Sequence, residues 1–247
     1  MAVQTVFKRY ELKYLLTQAQ KETVLKAMQP YMTLDKYGRT TIRNLYYDTD
    51  SYLLIRRSIE KPAYKEKLRI RSYSQAHDNS TVFVELKKKY KHVVYKRRVS
   101  LPYTDATAWL SKEKHPDKHT QIANEIDYFM ELYGTLHPTV FLSYEREAYY
   151  ANDGSDFRVT FDDNILCRQE DLSLESEVYG TPILPEGKVL MEIKCSGGIP
   201  LWMTQVMSKE RIYKTSFSKY GTAYGMLIFP QTHATNSYHM LEVATNA

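Results

Sequence analysis

Cysteine is scarce: two in 247 residues, Cys167 and Cys195, too few for a disulfide framework and read here as free thiols in a reducing cytosol. Long apolar runs are missing, and no stretch approaches the roughly 18 residues that a membrane-spanning helix needs. Residues 1–10 carry Lys8 and Arg9 but neither an apolar block nor a small-residue cleavage site, so no secretory signal is read. There is no Gly-rich loop of Walker type and no Rossmann fingerprint; Gly197-Gly198, after Cys195-Ser196, reads as a turn rather than a phosphate cradle. The seven histidines have no zinc spacing, and no Ser-His-Asp constellation stands out. Repeats, heptads and low-complexity stretches are absent. A net charge of +5 is too modest to make a nucleic-acid binder by itself.

What is abundant is tyrosine, with 22 copies, a residue that favours strands, in a chain of globular composition (43% hydrophobic, 26% charged). Strand-like runs are read at 5–14, 39–49, 63–73, 80–89, 92–101, 139–150, 156–162 and 188–195. His77-Asp78-Asn79 and Tyr90-Lys91 separate the third to fifth of these as an antiparallel meander, and Asn152-Asp153-Gly154 is a hairpin signal. A helix is expected at about 17–29, capped by Thr17 and closed by Pro30, and a short one around 50–57. The period changes to helical over 103–134, with a polar break at Lys112 to His119 and Gly134 as C-cap. Helical pieces are expected near 200–209 and 218–227. Residues 168–187 read as an exposed acidic loop, and 231–247 as a loose polar tail. The fold class is α+β: an antiparallel β-barrel of about eight strands, with helices packed outside.

Side chains alternate across a strand with period two. Arg9, Glu11 and Lys13 therefore share a face against Tyr10, Leu12 and Tyr14. Lys67, Arg69 and Arg71 oppose Leu68 and Ile70; Glu85 and Lys87 oppose Val84 and Leu86; Lys96 and Arg98 oppose Tyr95, Arg97 and Val99. Tyr144 and Arg146 face one way, Arg158 and Thr160 oppose Val159 and Phe161, and Glu192 and Lys194 oppose Met191 and Ile193. An ordinary sheet with one wet side would mix polar types and both signs. This ionic face is dominated by cations, which destabilise one another on neighbouring strands and call for an anion. A barrel with a polar lumen turns that face into a cationic tube suited to a polyanion, with Arg matching phosphate oxygens in pairs. Glu11, Glu85 and Glu192 alternate with the bases on the same faces. A hard cation, Mg²⁺ or Mn²⁺, would use one or two such carboxylates plus phosphate oxygens; a salt bridge to a neighbouring Lys or Arg is the alternative for each.

Laid out in this way, the chain resembles the vacuolar transporter chaperone (VTC) polyphosphate polymerase domain, in the superfamily of triphosphate tunnel metalloenzymes (CYTH-like). The match is carried by Arg9-Tyr-Glu-Leu-Lys13, Lys67-Leu-Arg69-Ile-Arg71, Val84-Glu85-Leu-Lys87, Tyr144-Glu-Arg146, Phe157-Arg158-Val-Thr-Phe-Asp162, Met191-Glu192-Ile-Lys194 and Phe217-Ser218-Lys219-Tyr220. Each motif is weak alone, but seven in order span nearly the whole chain. The resemblance implies one tunnel domain over residues 1–230. It implies phosphate contacts and catalysis from Lys13, Arg69, Arg71, Lys87, Arg146 and Arg158, further phosphate binding by Lys194, and Mn²⁺ or Mg²⁺ near Glu192, with Glu11 and Glu85. Ser218 and Lys219 would close one end. Lys96 or Arg97 would add a contact. Ser216 stands where some relatives have Lys, and Lys214 is the candidate substitute. It further implies ATP, triphosphate and polyphosphate as ligands, no nucleic acid, a cytoplasmic location, and room for a separate membrane partner that receives the product. Many tunnel enzymes begin Glu-x-Glu-x-Lys; Arg9 in the first position removes one carboxylate, which weighs against the cyclase and thiamine-triphosphatase branches. A metal-dependent triphosphatase on the same fold and a non-catalytic polyphosphate- or RNA-binding module remain the alternatives.

Overall fold

Period-two alternation becomes a single curled sheet in the structure, a computed structural model that describes residues 10–91, 93–116 and 120–230. Arg9 and the expected tail at 231–247 lie outside the described residues. The long strands are β1 (Tyr10–Thr17), β3 (Thr40–Asp48), β4 (Tyr64–Ser72), β5 (Thr81–Tyr90), β6 (Val93–Pro102), β7 (His137–Ala151), β8 (Arg158–Arg168) and β10 (Lys188–Cys195). These are the runs the sequence alternation picked out. Three short strands were not anticipated: β2 (Met32–Leu34), β9 (Thr181–Pro182) and β11 (Lys214–Thr215). The pairing is antiparallel throughout, in the order β11-β1-β10-β8-β7-β3-β4-β5-β6. Among the described residues β6 and β11 end that path, so the barrel is not closed by backbone hydrogen bonds.

Several helices start where side chains satisfy their free N–H groups. At α1 (Gln18–Met28), Thr17 and Gln20 form a reciprocal capping box: Thr17 Oγ1 accepts from the Gln20 amide at 3.2 Å, and Gln20 Oε1 from the Thr17 amide at 2.9 Å. α4 (Gln121–Tyr133) is capped by Thr120 and stops at Gly134, whose φ of 74° suits glycine. The Asp48 carboxylate accepts from the Leu54 and Ile55 amides at the start of α2 (Leu53–Ile59), and from the Tyr220 hydroxyl at 2.9 Å. That last bond ties α2 to α6 (Lys219–Ala223), which runs on into a π-helical turn, Tyr224–Ile228.

Two apolar clusters lie on the outer wall, as alternation requires. One buries Leu68, Ile70, Val84 and Leu86 under α3 (Tyr103–Leu110) and α4. The other buries Val159, Phe161, Met191 and Ile193 under α1 and α5 (Leu201–Lys209). A third cluster corrects the expectation of a wholly ionic lumen. Leu142, Tyr144, Ile165, Cys167 and Leu190 pack with Tyr220 and Ile228, so part of the inner face is apolar and is filled by α6 and its π-turn. Ile165 and Cys167 reach that side because a bulge, with Asn164 at φ 44°, switches the facing of β8.

The segment after β8 is largely exposed, as expected from its composition, but it is anchored at its start. Arg168 is 1% exposed; its guanidinium donates to the carbonyls of Glu170, Asp171, Glu177 and Tyr179 and lies 3.7 Å from the Phe141 ring centroid. Gly180, at φ 141°, packs so tightly that a Cβ would stand 2.5 Å from the Cys167 carbonyl oxygen. Both cysteines are free and buried.

Candidate functional site

Cross-strand register brings the inner cations together. Arg69, Glu85 and Arg98 are directly opposed on β4, β5 and β6. Glu85 is 1% exposed and accepts from Arg69 Nε (2.9 Å) and Nη2 (2.7 Å) on one oxygen. Its other oxygen accepts from Arg98 and stands 2.7 Å from Lys96 Nζ. Burial alone would raise the Glu85 carboxyl; Arg69, Arg71 and Lys96 outweigh it and hold the group far below the usual carboxylate range. Both oxygens are thus occupied by cations. The expectation of Glu85 as a metal ligand gives way to a role as the anchor that aims Arg69, Arg98 and Lys96. Arg69 also donates to the Tyr46 hydroxyl at 2.9 Å, and Arg71 to Asn44 Oδ1 at 2.9 Å and the Tyr144 hydroxyl at 3.1 Å.

A second buried carboxylate holds a second group of cations. Asp162 takes a bidentate fork from Arg146 (2.6 and 2.7 Å) and the Lys219 ammonium at 2.5 Å. Burial would raise the Asp162 carboxyl, but Arg146 and Lys219 bring it to about 2. Tyr144 links the two groups: its ring lies under the Arg146 guanidinium and the Lys219 ammonium. Burial works against ionising that phenol, yet Arg146, Arg71 and Lys219 lower it to about 8.

Between these anchored cations are two that make no direct ion pair among the described residues, although Glu192 stands opposite Lys13 across β1 and β10. Lys13 Nζ donates to the Phe217 carbonyl at 2.7 Å and Lys67 Nζ to Ser218 Oγ at 3.0 Å; neither makes an ion pair among the described residues. Burial, with neighbouring ammoniums adding to it, lowers Lys13 to about 8 and Lys67 to about 7. Ser218 also caps α6, so the same hydroxyl accepts from the Gly221 amide. Lys87 meets Glu11 across the bore at 2.9 Å.

Glu192 differs from the other inner carboxylates. It sits in register with Lys13 on β1 and Thr160 on β8. Its nearest cations, Lys194 Nζ at 3.5 Å and Arg146 Nη2 at 3.9 Å, are too far for direct hydrogen bonds. Its carboxyl is nonetheless held well below its ordinary value, because Lys194, Lys13 and Arg146 outweigh burial. Thr160 Oγ1, beside it, is buried with no hydrogen-bond partner. An ionised carboxylate with free lone pairs next to an orphaned hydroxyl fits a hard cation held mainly by phosphate oxygens. The described residues contain no group of three or more His, Cys, Asp or Glu able to form an all-protein metal cage.

Not every expected residue joins this assembly. Arg158 has the right facing but lies exposed at the rim, 4.5 Å from the Tyr150 ring centroid. Lys214 is opposed to Tyr14, whose ring belongs to the outer cluster, so Lys214 sits on the outer face and is exposed. Arg97 pairs with Glu125 of α4 on the outer wall, leaving Lys96 as the inward residue. Sequence reasoning gave no role to Lys67, Asp162, Thr160, Tyr46 or Asn44. Alternation already placed Lys67 and Thr160 on the ionic faces, and facing alone could have added Asp162, which shares the β8 face with Arg158 and Thr160.

Residues 8–228 match the VTC domain. The chain belongs to the VTC-domain family. No curated protein sequence matches it. Among solved structures, a candidate adenylate cyclase from Bacillus halodurans superimposes with a TM-score of 0.52 at 14% identity, over 85% of this chain and 95% of that one. A candidate adenylyl cyclase from Hippeastrum, described as having a dominant triphosphatase activity, gives 0.50 at 15% identity, over 89% and 97%. At these identities the VTC-domain chain shares with them the tunnel-like antiparallel fold. No helix among its described residues is long and apolar enough to cross a membrane.

Proposed function

We propose that this VTC-domain protein is a polyphosphate polymerase that transfers the γ-phosphoryl group of ATP to a growing inorganic polyphosphate chain. The observation that carries the reading is the pair Lys13 and Lys67. Both are half-buried and make no direct ion pair among the described residues, Lys13 having only the unpaired Glu192 opposite it, and they converge on a lumen where Arg69, Arg146 and Lys219 are already aimed by buried anions. Such a lumen is electrostatically incomplete without a polyanion.

Phosphoryl transfer needs positioning and neutralisation of charge more than covalent help from the protein. A terminal phosphate oxygen of the acceptor chain attacks the γ-phosphorus, the bond to the β-phosphate oxygen breaks, and ADP leaves with that electron pair. Arg146 and Lys219, fixed by Asp162, neutralise the equatorial oxygens, while Lys13 and Lys67 bind flanking phosphates. Mn²⁺ or Mg²⁺, held by Glu192 with Glu11, would supply further charge neutralisation on the phosphates.

A triphosphatase is the second reading, supported by the activity described for the Hippeastrum protein that shares this fold. The same residues would then serve water as acceptor. Incubation with ATP and Mn²⁺ followed by sizing of the phosphate products decides between them. Growth of long-chain polyphosphate supports the polymerase; orthophosphate alone assigns the hydrolase. If ATP and tripolyphosphate neither react nor raise the melting temperature, the phosphate-binding reading itself is lost. A ligand at a hundred times its Kd should stabilise the fold by about 2.7 kcal/mol.

A further inference from the structure

The ionic faces of β4 and β5 do not stop at the lumen. Lys67 opposes Lys87, and one rung further along the same faces Lys65 opposes Lys89. Neither Lys65 nor Lys89 makes an ion pair among the described residues, and both are half-buried. Lys65 Nζ donates to the Ser58 carbonyl of α2 at 3.1 Å. The charges form a continuous series: Lys67 feels Lys13, Lys87 and Lys65, and Lys65 in turn feels Lys89 and Lys61. Lys61 is exposed just before β4. Like charges directly opposed across strands destabilise a sheet, and two consecutive all-lysine rungs repeat that cost; Glu11 offsets Lys87, and among the described residues no acid pairs with Lys67, Lys65 or Lys89. The arrangement makes sense if an anion lies along the rungs.

Resting on the proposed phosphate-binding lumen, we infer that Lys65, Lys89 and Lys61 form a track that leads out of it and holds the additional phosphates of a chain longer than triphosphate. Bare phosphate fits this track better than nucleic acid. The tyrosines at this end of the sheet, Tyr64 and Tyr90, are opposed to each other and fall on the reverse face by alternation. Among the described residues at this end, no aromatic platform therefore runs beside Lys65 and Lys89 on which bases could stack. The polymer would be gripped outside the reaction centre while its end is extended inside, which favours repeated addition to one chain.

The test compares tripolyphosphate with a polyphosphate several times longer, by calorimetry on the whole chain at fixed ionic strength, for the wild type and for Lys65→Gln/Lys89→Gln. The wild type should bind the longer chain about tenfold more tightly per molecule. The double variant should lose that gain while its tripolyphosphate affinity stays unchanged. Lys61→Gln/Lys89→Gln, which leaves the Lys65–Ser58 bond in place, should also reduce the gain and serves if the first variant folds poorly. Equal wild-type affinity for the two chains, or a gain that survives in both variants, overturns the track. So does a single-stranded oligonucleotide of similar charge that competes as well as polyphosphate. Failure of tripolyphosphate to bind the wild type would instead overturn the underlying lumen reading.

Discussion

The Lys87 ammonium lies 2.9 Å from Oε2 of Glu11, although their strands are six pairings apart along β1-β10-β8-β7-β3-β4-β5. In a flat sheet those strands would be roughly 29 Å apart, so this contact requires the sheet to curl on itself. The pair is part-exposed, and Glu11→Gln should change stability by less than about 1 kcal/mol. It should raise the affinity for tripolyphosphate in the presence of a chelator, since it frees Lys87 and removes a negative charge from the lumen. Calorimetry without metal checks this; a weaker affinity would mean that Glu11 chiefly holds Lys87 in place.

Glu85 and Glu192 look alike in sequence, each two residues before an inward Lys, but the structure surrounds them differently, with direct cation contacts on both oxygens of Glu85 and the nearest cation to Glu192 at 3.5 Å. Glu85→Gln strips the shared anchor from Arg69, Arg98 and Lys96 and should cost about 3–5 kcal/mol of stability, read as a fall in melting temperature. Glu192→Gln should leave the anchored cations in place and raise the Mn²⁺ concentration for half-maximal turnover about tenfold or more. An unchanged metal titration for Glu192→Gln would remove it from the metal-binding role.

Alternation is a local property, so it was legible: Leu68 and Ile70 are fully buried on the outer wall while Arg69 and Arg71 point in. Thr17 and Gly134 mark helix ends for equally local reasons. What sequence could not supply were partnerships that depend on curl. Lys67 with Ser218 and Asp162 with Lys219 are separated by 151 and 57 positions, and both bonds exist only because α6 docks into the barrel. Lys214 was misplaced because its facing follows from pairing with Tyr14, a two-residue contact that no periodicity announces. The bulge at Asn164 lies beyond the run read at 156–162, so the inward facing of Ile165 and Cys167 was not announced by periodicity either.

Asp162 touches no expected phosphate position yet orients two residues that do. Asp162→Asn should lose about 3 kcal/mol of stability, because Arg146 and Lys219 would keep their burial without their counter-charge. Arg146→Lys keeps the charge but gives up the two-pronged fork to Asp162. It should lower kcat about a hundredfold with a smaller effect on KM if Arg146 neutralises charge mainly in the transition state. Steady-state kinetics on ATP measure the split; a rise in KM with kcat intact would make Arg146 a ground-state binding residue.

The lowered lysines fix the direction of the pH response. Lys13 and Lys67 release their protons near about 8 and about 7 in the fold, against about 10.4 in the unfolded chain. Over the interval from about pH 7 to about pH 9 these lysines therefore bind more protons in the unfolded chain, and their contribution to stability rises with pH. Tyr144 works in the same direction, since its phenol ionises near about 8 in the fold but near about 10 when unfolded. The ligand-free protein should melt at a higher temperature at about pH 9 than at about pH 7. Tripolyphosphate requires the ammoniums to be charged and the phenol neutral, so its affinity, and the extra stability it confers, should fall over that interval. Melting curves with and without tripolyphosphate across this range test both statements at once. A ligand-free melting temperature that falls from about pH 7 to about pH 9 would show that these lysines are not crowded together in a cationic lumen.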